Sequence, residues 1–395
     1  CNNAGAREFQ HSPESAHMPF ESWRRDGGDA LVLARQLTCT TKASIQSLFE
    51  FLKPPPLTVH LVLQHSSGCK AAEQLLPPGK LRCYDEARVL PIAARTVAQR
   101  YEEMPGSPQL PAAHRVARRR LRDPTRLGWY FQQFVKLGFP LFNTISTDFL
   151  VWDSDAVLIA PFEPVGKDGE LRLVTGGYSN MPQYEESFST LLNESLQYAP
   201  DRTSLVTHHM MVHTPLLVQL VARLGRGEAC AGAEDCLRAA RELRWLEAVL
   251  RATRGLKSFS EYAFYLSWQL LHQPGLRVAY LGSDECGIYS KPLLPGERRT
   301  CSRQPARAFC RNPLQTESTI CPAAYRVLFD FARERQLGAL FVNFETHAWG
   351  KEGLDNATGQ QLVAEIRRRE EAHVRQARGL QRSRMLKRAR PCTPW

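Results

Sequence analysis

The sequence contains no run of about 20 apolar residues, so none of its helices is expected to span a bilayer. It has no C-x-x-C pair, which removes zinc-ribbon chemistry. G-x-x-x-x-G-K-[ST], G-x-G-x-x-G, G-x-S-x-G and H-E-x-x-H are all missing. P-loop, Rossmann dinucleotide-binding, serine-hydrolase and zincin readings therefore have no support. No internal repeat is present, which excludes solenoids and propellers. With 43% hydrophobic and 23% charged residues, the chain is neither disordered nor collagen-like. At 395 residues it can bury one large core, with or without an appended lobe.

Positive charge is plentiful but uneven. The net charge of +11 would suggest a polyanionic partner if one face carried it. Residues 366–395 instead hold ten Lys/Arg against Glu370 and Glu371, and Arg115, Arg118, Arg119, Arg120, Arg122 and Arg126 are set against Asp123 alone. The rest of the chain is close to neutral. Such a helix and tail read first as solvated faces and next as contacts for a membrane surface or partner; no nucleic-acid site is expected. The 11 cysteines are an odd number, and Cys286, Cys301, Cys310 and Cys321 fall in a Pro/Arg/Ser-rich stretch where at least one disulfide is expected. The sequons Asn193-Glu194-Ser195 and Asn356-Ala357-Thr358 also fit a secretory lumen, with the Golgi as the expected compartment. The alternative is a cytosolic chain with buried thiols. A start at Cys1 leaves room for a signal or membrane anchor ahead of it.

Residues 1–28 are polar and irregular and read as a stem. Beyond them the pattern alternates. Residues 30–37 suit a strand, 43–52 a helix closed by Pro54-Pro55-Pro56, 57–64 a strand and 80–90 a third strand. That rhythm predicts an α/β fold with a mostly parallel sheet. A Pro-rich loop at 103–113 precedes the Arg-rich helix, and the spacing at 129–137 predicts a helix ending at Gly138. Further helices are expected at 181–192, after Pro215, at 233–250 and at 259–271, with strands at 171–177, 276–281 and 341–344. The resulting division is a stem at 1–28, one domain at 29–345 with a Cys-rich loop region at about 286–321, and a basic tail at 346–395.

The most informative segment, residues 148–161, is an apolar run broken at its centre by Asp153-Ser154-Asp155. In extended backbone, residues i and i+2 point the same way, so both carboxylates can converge on one cation at a strand end. Two acids in an apolar setting are costly unless a cation neutralises them, and a hard divalent ion can in turn hold a diphosphate. The bland reading is a turn with both acids solvated. His208, His209 and His213 also attract notice, because His209 and His213 would share a face of a helix. Without an intervening Glu they read as satisfied or acceptor-contacting histidines rather than zinc ligands.

The α/β amino-terminal half, the helix Gly128-Trp129-Tyr130-Phe131-Gln132-Gln133, the D-S-D strand and the later Phe259-Ser260-Glu261-Tyr262 stand in a fixed order. Over about residues 30–290 this set resembles the GT-A-type nucleotide-sugar glycosyltransferases, and most of all an uncharacterised group of nucleotide-diphospho-sugar transferases. The resemblance implies a Rossmann-like GT-A fold and a metal-dependent transfer of sugar from a nucleotide-diphosphate donor to a glycan, glycoprotein or small-molecule acceptor. It implies that Asp153 and Asp155 hold Mn2+ or Mg2+ and the diphosphate, and that the strand end near Thr40 and Thr41 lies by the base. Asp85 is a weaker candidate for nucleotide contact, and Trp129 and Gln133 would brace the D-S-D strand. An inverting transfer needs a carboxylate to take the acceptor proton, and Glu261 is the residue expected to do so. His347, from the segment VNFETHAW, would be a third metal ligand.

Two rivals remain. An aspartyl-nucleophile phosphatase would use Asp153, Asp155 and Val157 as D-x-D-x-[TV], with Asp284 and Glu285 as later acids, although its nucleophile strand normally opens the domain. A catalytically idle lectin-like protein would keep the fold and work through its tail.

The tail has too sparse an apolar stripe, at Ile366, Val374, Leu380, Met385 and Leu386, for a core helix. At about 1 kcal/mol per basic residue near an anionic surface, it suffices as a salt-sensitive tether. Truncation after Glu365 is expected to leave turnover on a small soluble acceptor unchanged and to lower retention on anionic vesicles at low salt. Loss of that turnover would place the tail in the active site.

Overall fold

A computed structural model describes residues 20–103, 124–158, 160–175, 182–200, 202–253 and 258–282, with two short strands at 288–289 and 341–343. The basic tail, His347, Asp284, Glu285 and the four cysteines from Cys286 to Cys321 lie outside the described residues.

The chain opens with α1 (Glu21–Asp26), β1 (Asp29–Ala34), α2 (Cys39–Phe51) and β2 (Val59–Leu63), then α3 (Cys69–Glu73), β3 (Leu81–Asp85), α4 (Glu86–Val89), α5 (Ala94–Glu103) and α6 (Pro124–Phe142). Next come β4 (Asp148–Asp153), β5 (Ala156–Leu158), β6 (Leu171–Thr175), α7 (Pro182–Leu192) and β7 (His209–His213). Four helices follow: α8 (Thr214–Arg226), α9 (Ala233–Arg241), α10 (Arg244–Thr253) and α11 (Glu261–His272). The last described strands are β8 (Val278–Gly282), β9 (Ile288–Tyr289) and β10 (Phe341–Asn343).

A five-stranded sheet of order β3-β2-β1-β4-β7 forms the centre, parallel throughout except for β7. The fold class is thus the expected α/β with a mostly parallel sheet. Strands such as VHLVL, apolar but for His60 and buried at every residue, suit a sheet covered on both faces. Alternation along β4 sends Trp152 toward α2, where its indole N–H donates to Ser44 Oγ at 3.1 Å, and sends Asp153 toward α6. Two smaller sheets, β5-β10-β9 and β6-β8, hold the other described strands.

Several boundaries differ from expectation. Residues 20–28 are not part of a polar stem: Phe20 and Trp23 are fully buried, and Ser22 donates to the carboxylate of Asp148 at the start of β4. Gly28 permits this docking, since a Cβ there would lie 2.4 Å from both the Asp148 carbonyl oxygen and the Trp23 ring. α6 does not stop at Gly138 but runs through it and through Pro140 to Phe142. A Cβ at 138 would meet Leu90 at 2.6 Å, so the glycine serves close packing rather than a cap. Pro140 deprives the Lys136 carbonyl of its helical donor. The third strand ends at Asp85, whose carboxylate caps α4 by accepting from the Ala87 N–H at 3.0 Å. The helix expected at 233–250 is two helices, broken where Leu243 takes φ 60. His209 and His213 sit in a strand, not on a helix face, roughly 13 Å apart by strand rise. His213 Nδ1 donates to Asp148 at 2.8 Å and His209 is bound to the Thr207 carbonyl, so they share no ligand.

Disulfides join Cys69 to Cys83 and Cys230 to Cys236. Both fit an oxidising compartment. No described helix is long and apolar enough to cross a membrane.

The Cys69–Cys83 link spans 14 residues and ties α3 to β3. Its removal in Cys69→Ala/Cys83→Ala is expected to lower unfolding free energy by about 3 kcal/mol, read from urea melts. An unchanged urea midpoint would show that the link adds nothing to stability.

Candidate functional site

Strand order reverses between β1 and β4, which lie side by side with Leu33 opposite Asp153. In open α/β sheets, ligands enter the crevice outside the carboxyl ends of strands at such a switch point. Two structures border it here: the turn from β1 into α2, and the end of β4.

The turn into α2 is held by its own threonines. Thr38 is the N-cap and accepts from the Thr41 N–H at 3.2 Å, while Thr41 Oγ1 donates to the Gln36 carbonyl at 3.2 Å. Thr40 lies in the first turn of the helix at 9% exposure. It belongs to the helix that follows β1, not to a strand end.

At the end of β4, Asp153 is surrounded by donors. Its Oδ1 accepts from Lys136 Nζ at 2.6 Å and from the Tyr262 hydroxyl at 2.5 Å, and its Oδ2 accepts from His208 Nδ1 at 2.9 Å. Because a carboxylate only accepts, His208 carries its proton on Nδ1. The backbone joins the same knot: the Asp153 N–H donates to the His208 carbonyl at 3.0 Å, and Ser44 Oγ lies 3.5 Å from the Asp153 carbonyl. His208 has φ 58, a left-handed conformation that a non-glycine residue adopts at a cost of about 1–3 kcal/mol. Such outliers concentrate where a site dictates the backbone.

Lys136 connects this carboxylate to a second one. Its Nζ lies 2.5 Å from Glu261 Oε1, 3.1 Å from the Tyr262 hydroxyl and 4.3 Å from the centroid of that ring. Its side chain is 9% exposed and that of Glu261 only 4%. Burial alone would drive the lysine toward neutrality, but Asp153 and then Glu261 outweigh it and hold the ammonium above its usual range. Burial would likewise raise Asp153, yet Lys136 and His208 keep it well below the ordinary carboxylate value. Glu261 stays raised, because its burial exceeds the help it receives from Lys136. Burial, then Asp153 and Glu261, pushes the Tyr262 hydroxyl far up, so it remains a donor.

The start of α11 is fixed from α6. Ser260 caps the helix, and the buried Gln133 accepts from the Glu261 N–H at 3.1 Å and donates to the Trp129 carbonyl at 3.3 Å. Gln133 therefore braces the Glu261 segment rather than the D-S-D strand. Asp155 does not alternate with Asp153 along extended backbone: β4 ends at Asp153, and Ser154-Asp155 form a turn into β5. Asp155 is half-buried and within electrostatic reach of Tyr262. Asp85 ends β3, three strand spacings or about 14 Å along the same edge, and is occupied as a helix cap. His347 lies outside the described residues, as do Asp284 and Glu285 of the phosphatase reading.

The structure thus brings Asp153 and Glu261, both singled out in the sequence, together through Lys136; His208 is a satisfied histidine as read, while Lys136 and Tyr262 were not named as partners. A signal for Lys136 existed: it is a lone cation in QQFVKLGFPLF, three residues after Gln133 on the same helical face.

No family model matches this sequence, and no curated protein matches it. Among solved structures, the apo form of mouse xyloside xylosyltransferase 1 covers 64% of this chain and 85% of its own, at 12% identity and a TM-score of 0.31. A likeness of that size carries no functional weight.

Removing one partner of a buried ion pair costs about 3–5 kcal/mol, because the remaining charges stay buried without compensation. Lys136→Met is expected to lose stability on that scale, and Lys136→Met/Glu261→Gln to recover part of it in denaturant melts. A double variant no more stable than the single one would show that Glu261 is not held by Lys136.

Proposed function

We propose that the protein transfers a sugar from a nucleotide-diphosphate donor bound at the carboxyl ends of β1 and β4. One observation carries this reading. Three segments far apart in sequence, α6 with Lys136, the strand end with Asp153 and the α11 start with Glu261 and Tyr262, meet on a single carboxylate at the sheet's switch point. These are the segments on which the resemblance to GT-A-type transferases rests, and their convergence supports it.

The donor chemistry fits a divalent cation, which takes carboxylate oxygens of the kind that Asp153 and Asp155 bring to the end of β4 and the turn after it. Among the described residues no group of three or more His, Cys, Asp or Glu encloses a metal, so the two aspartates would hold it with the donor's own oxygens. Asp153 has three of its roughly four acceptor positions filled, which leaves one for a cation, and Asp155 supplies the other carboxylate. When bound, the cation would neutralise the departing diphosphate.

The chain's own residues have distinct parts. Lys136, His208 and Tyr262 hold the Asp153 carboxylate in one orientation and ionised. Thr38, Thr40 and Thr41 shape the opposite wall, where the first turn of α2 favours a negative group. Glu261, closed off from solvent and paired with Lys136, is a positioning residue in this arrangement and not the base that meets the acceptor.

A panel of nucleotide sugars tested by calorimetry with Mn2+ and then with chelator separates the readings. At least one donor is expected to bind only with metal, and Asp155→Asn to weaken that binding by more than about tenfold with the melting temperature retained. Absence of binding by every donor, or donor affinity indifferent to both chelator and Asp155→Asn, would overturn the proposal.

A further inference from the structure

We propose that Asn193 is a site of N-linked glycosylation. The residue closes α7 in the left-handed conformation, with φ 57, and its N–H donates to the Ser189 carbonyl at 2.9 Å. Asn193 and Ser195 are exposed, and the Asn193 carboxamide makes no hydrogen bond among the described residues. The residue between them is tied down: His272 Nε2 lies 3.1 Å from both carboxylate oxygens of Glu194. That imidazole lies against Trp268 with ring centroids 3.6 Å apart and the planes tilted by 31°, and Gln197 Nε2 donates to the Ser195 carbonyl at 2.8 Å. The turn is therefore fixed to the folded surface by its middle residue, with the amide and hydroxyl of Asn-x-Ser left to solvent.

One further observation agrees. The Cys69–Cys83 and Cys230–Cys236 disulfides belong to an oxidising compartment, where oligosaccharyl transfer takes place. Along α11 the His272 end lies about 16 Å from Glu261, so a glycan here leaves the Asp153 crevice open.

In the transfer, the Asn193 amide nitrogen attacks C1 of an oligosaccharide carried on a polyprenyl diphosphate. The N–C1 bond forms and the amide gives up one proton to a base of the transferase, while the C1–O bond breaks and its electron pair leaves with the lipid diphosphate. Ser195 supplies the hydroxyl by which the acceptor tripeptide is recognised.

The full chain, directed into the secretory pathway of a eukaryotic cell, is compared before and after peptide N-glycosidase. The Asn356→Gln variant, which removes the second sequon, is expected to gain mobility on treatment, and Asn356→Gln/Asn193→Gln and Asn356→Gln/Ser195→Ala to lose that shift. Asn356→Gln/Glu194→Gln should keep it. An unmodified peptide containing Asn193, found by mass spectrometry in secreted protein with both disulfides formed, would overturn the proposal. So would a shift that survives Ser195→Ala.

Discussion

One ammonium group sets the terms for the whole site. Lys136 Nζ has three protons and gives them to three oxygens, on Asp153, Glu261 and Tyr262, each from a different segment or a different residue of α11. None is left for solvent or for a ligand. A charge this deeply buried persists only where its partners offset the lost hydration, so the three segments cannot shift independently without exposing an uncompensated charge. What such a knot confers is a single geometry at the strand end rather than net stability.

Topology decides which residues reach that knot. The parallel strands β1 and β4 end at the same edge, and β7, running the other way, begins there. The residue just ahead of β7 is consequently delivered to the end of β4, and this residue is His208. Its left-handed backbone lets the chain turn into the antiparallel strand while the imidazole meets Asp153. On the other face, α6 crosses the sheet without stopping at Gly138, because the glycine lets it lie close against Leu90. A helix ended there would have stood with Lys136 in its fraying last turn.

Much of this was legible before any coordinates. Alternating apolar strands and helices announced the sheet, and two acids in an apolar run marked the end of its strand β4. The misreadings have physical causes. Gly138 looks like a stop signal locally, but tertiary packing overrides it and the helix runs on through Pro140. His209 and His213 are spaced for a helix face, yet the strand HMMVH pairs with β4 along its full length, and neighbours in the sheet outweigh spacing. Lys136, His208 and Tyr262 join across 125, 55 and 109 residues of chain to their partners, and no local pattern encodes contacts of that range. Asp153 was visible as an acid needing a counter-charge; that a lysine supplies part of it is information held in the packing of α6 against the sheet.

The docking of α1 bears on how this molecule can be handled. Phe20, Ser22 and Trp23 seat the helix where β4 begins and β7 ends, with Phe20 edge-on to His213 at 6.3 Å. Asp153 closes the opposite end of the same strand, a strand length of roughly 17 Å away. A reporter attached at the exposed Glu21 of this helix is thus spaced from the Asp153 carboxylate by the length of a strand.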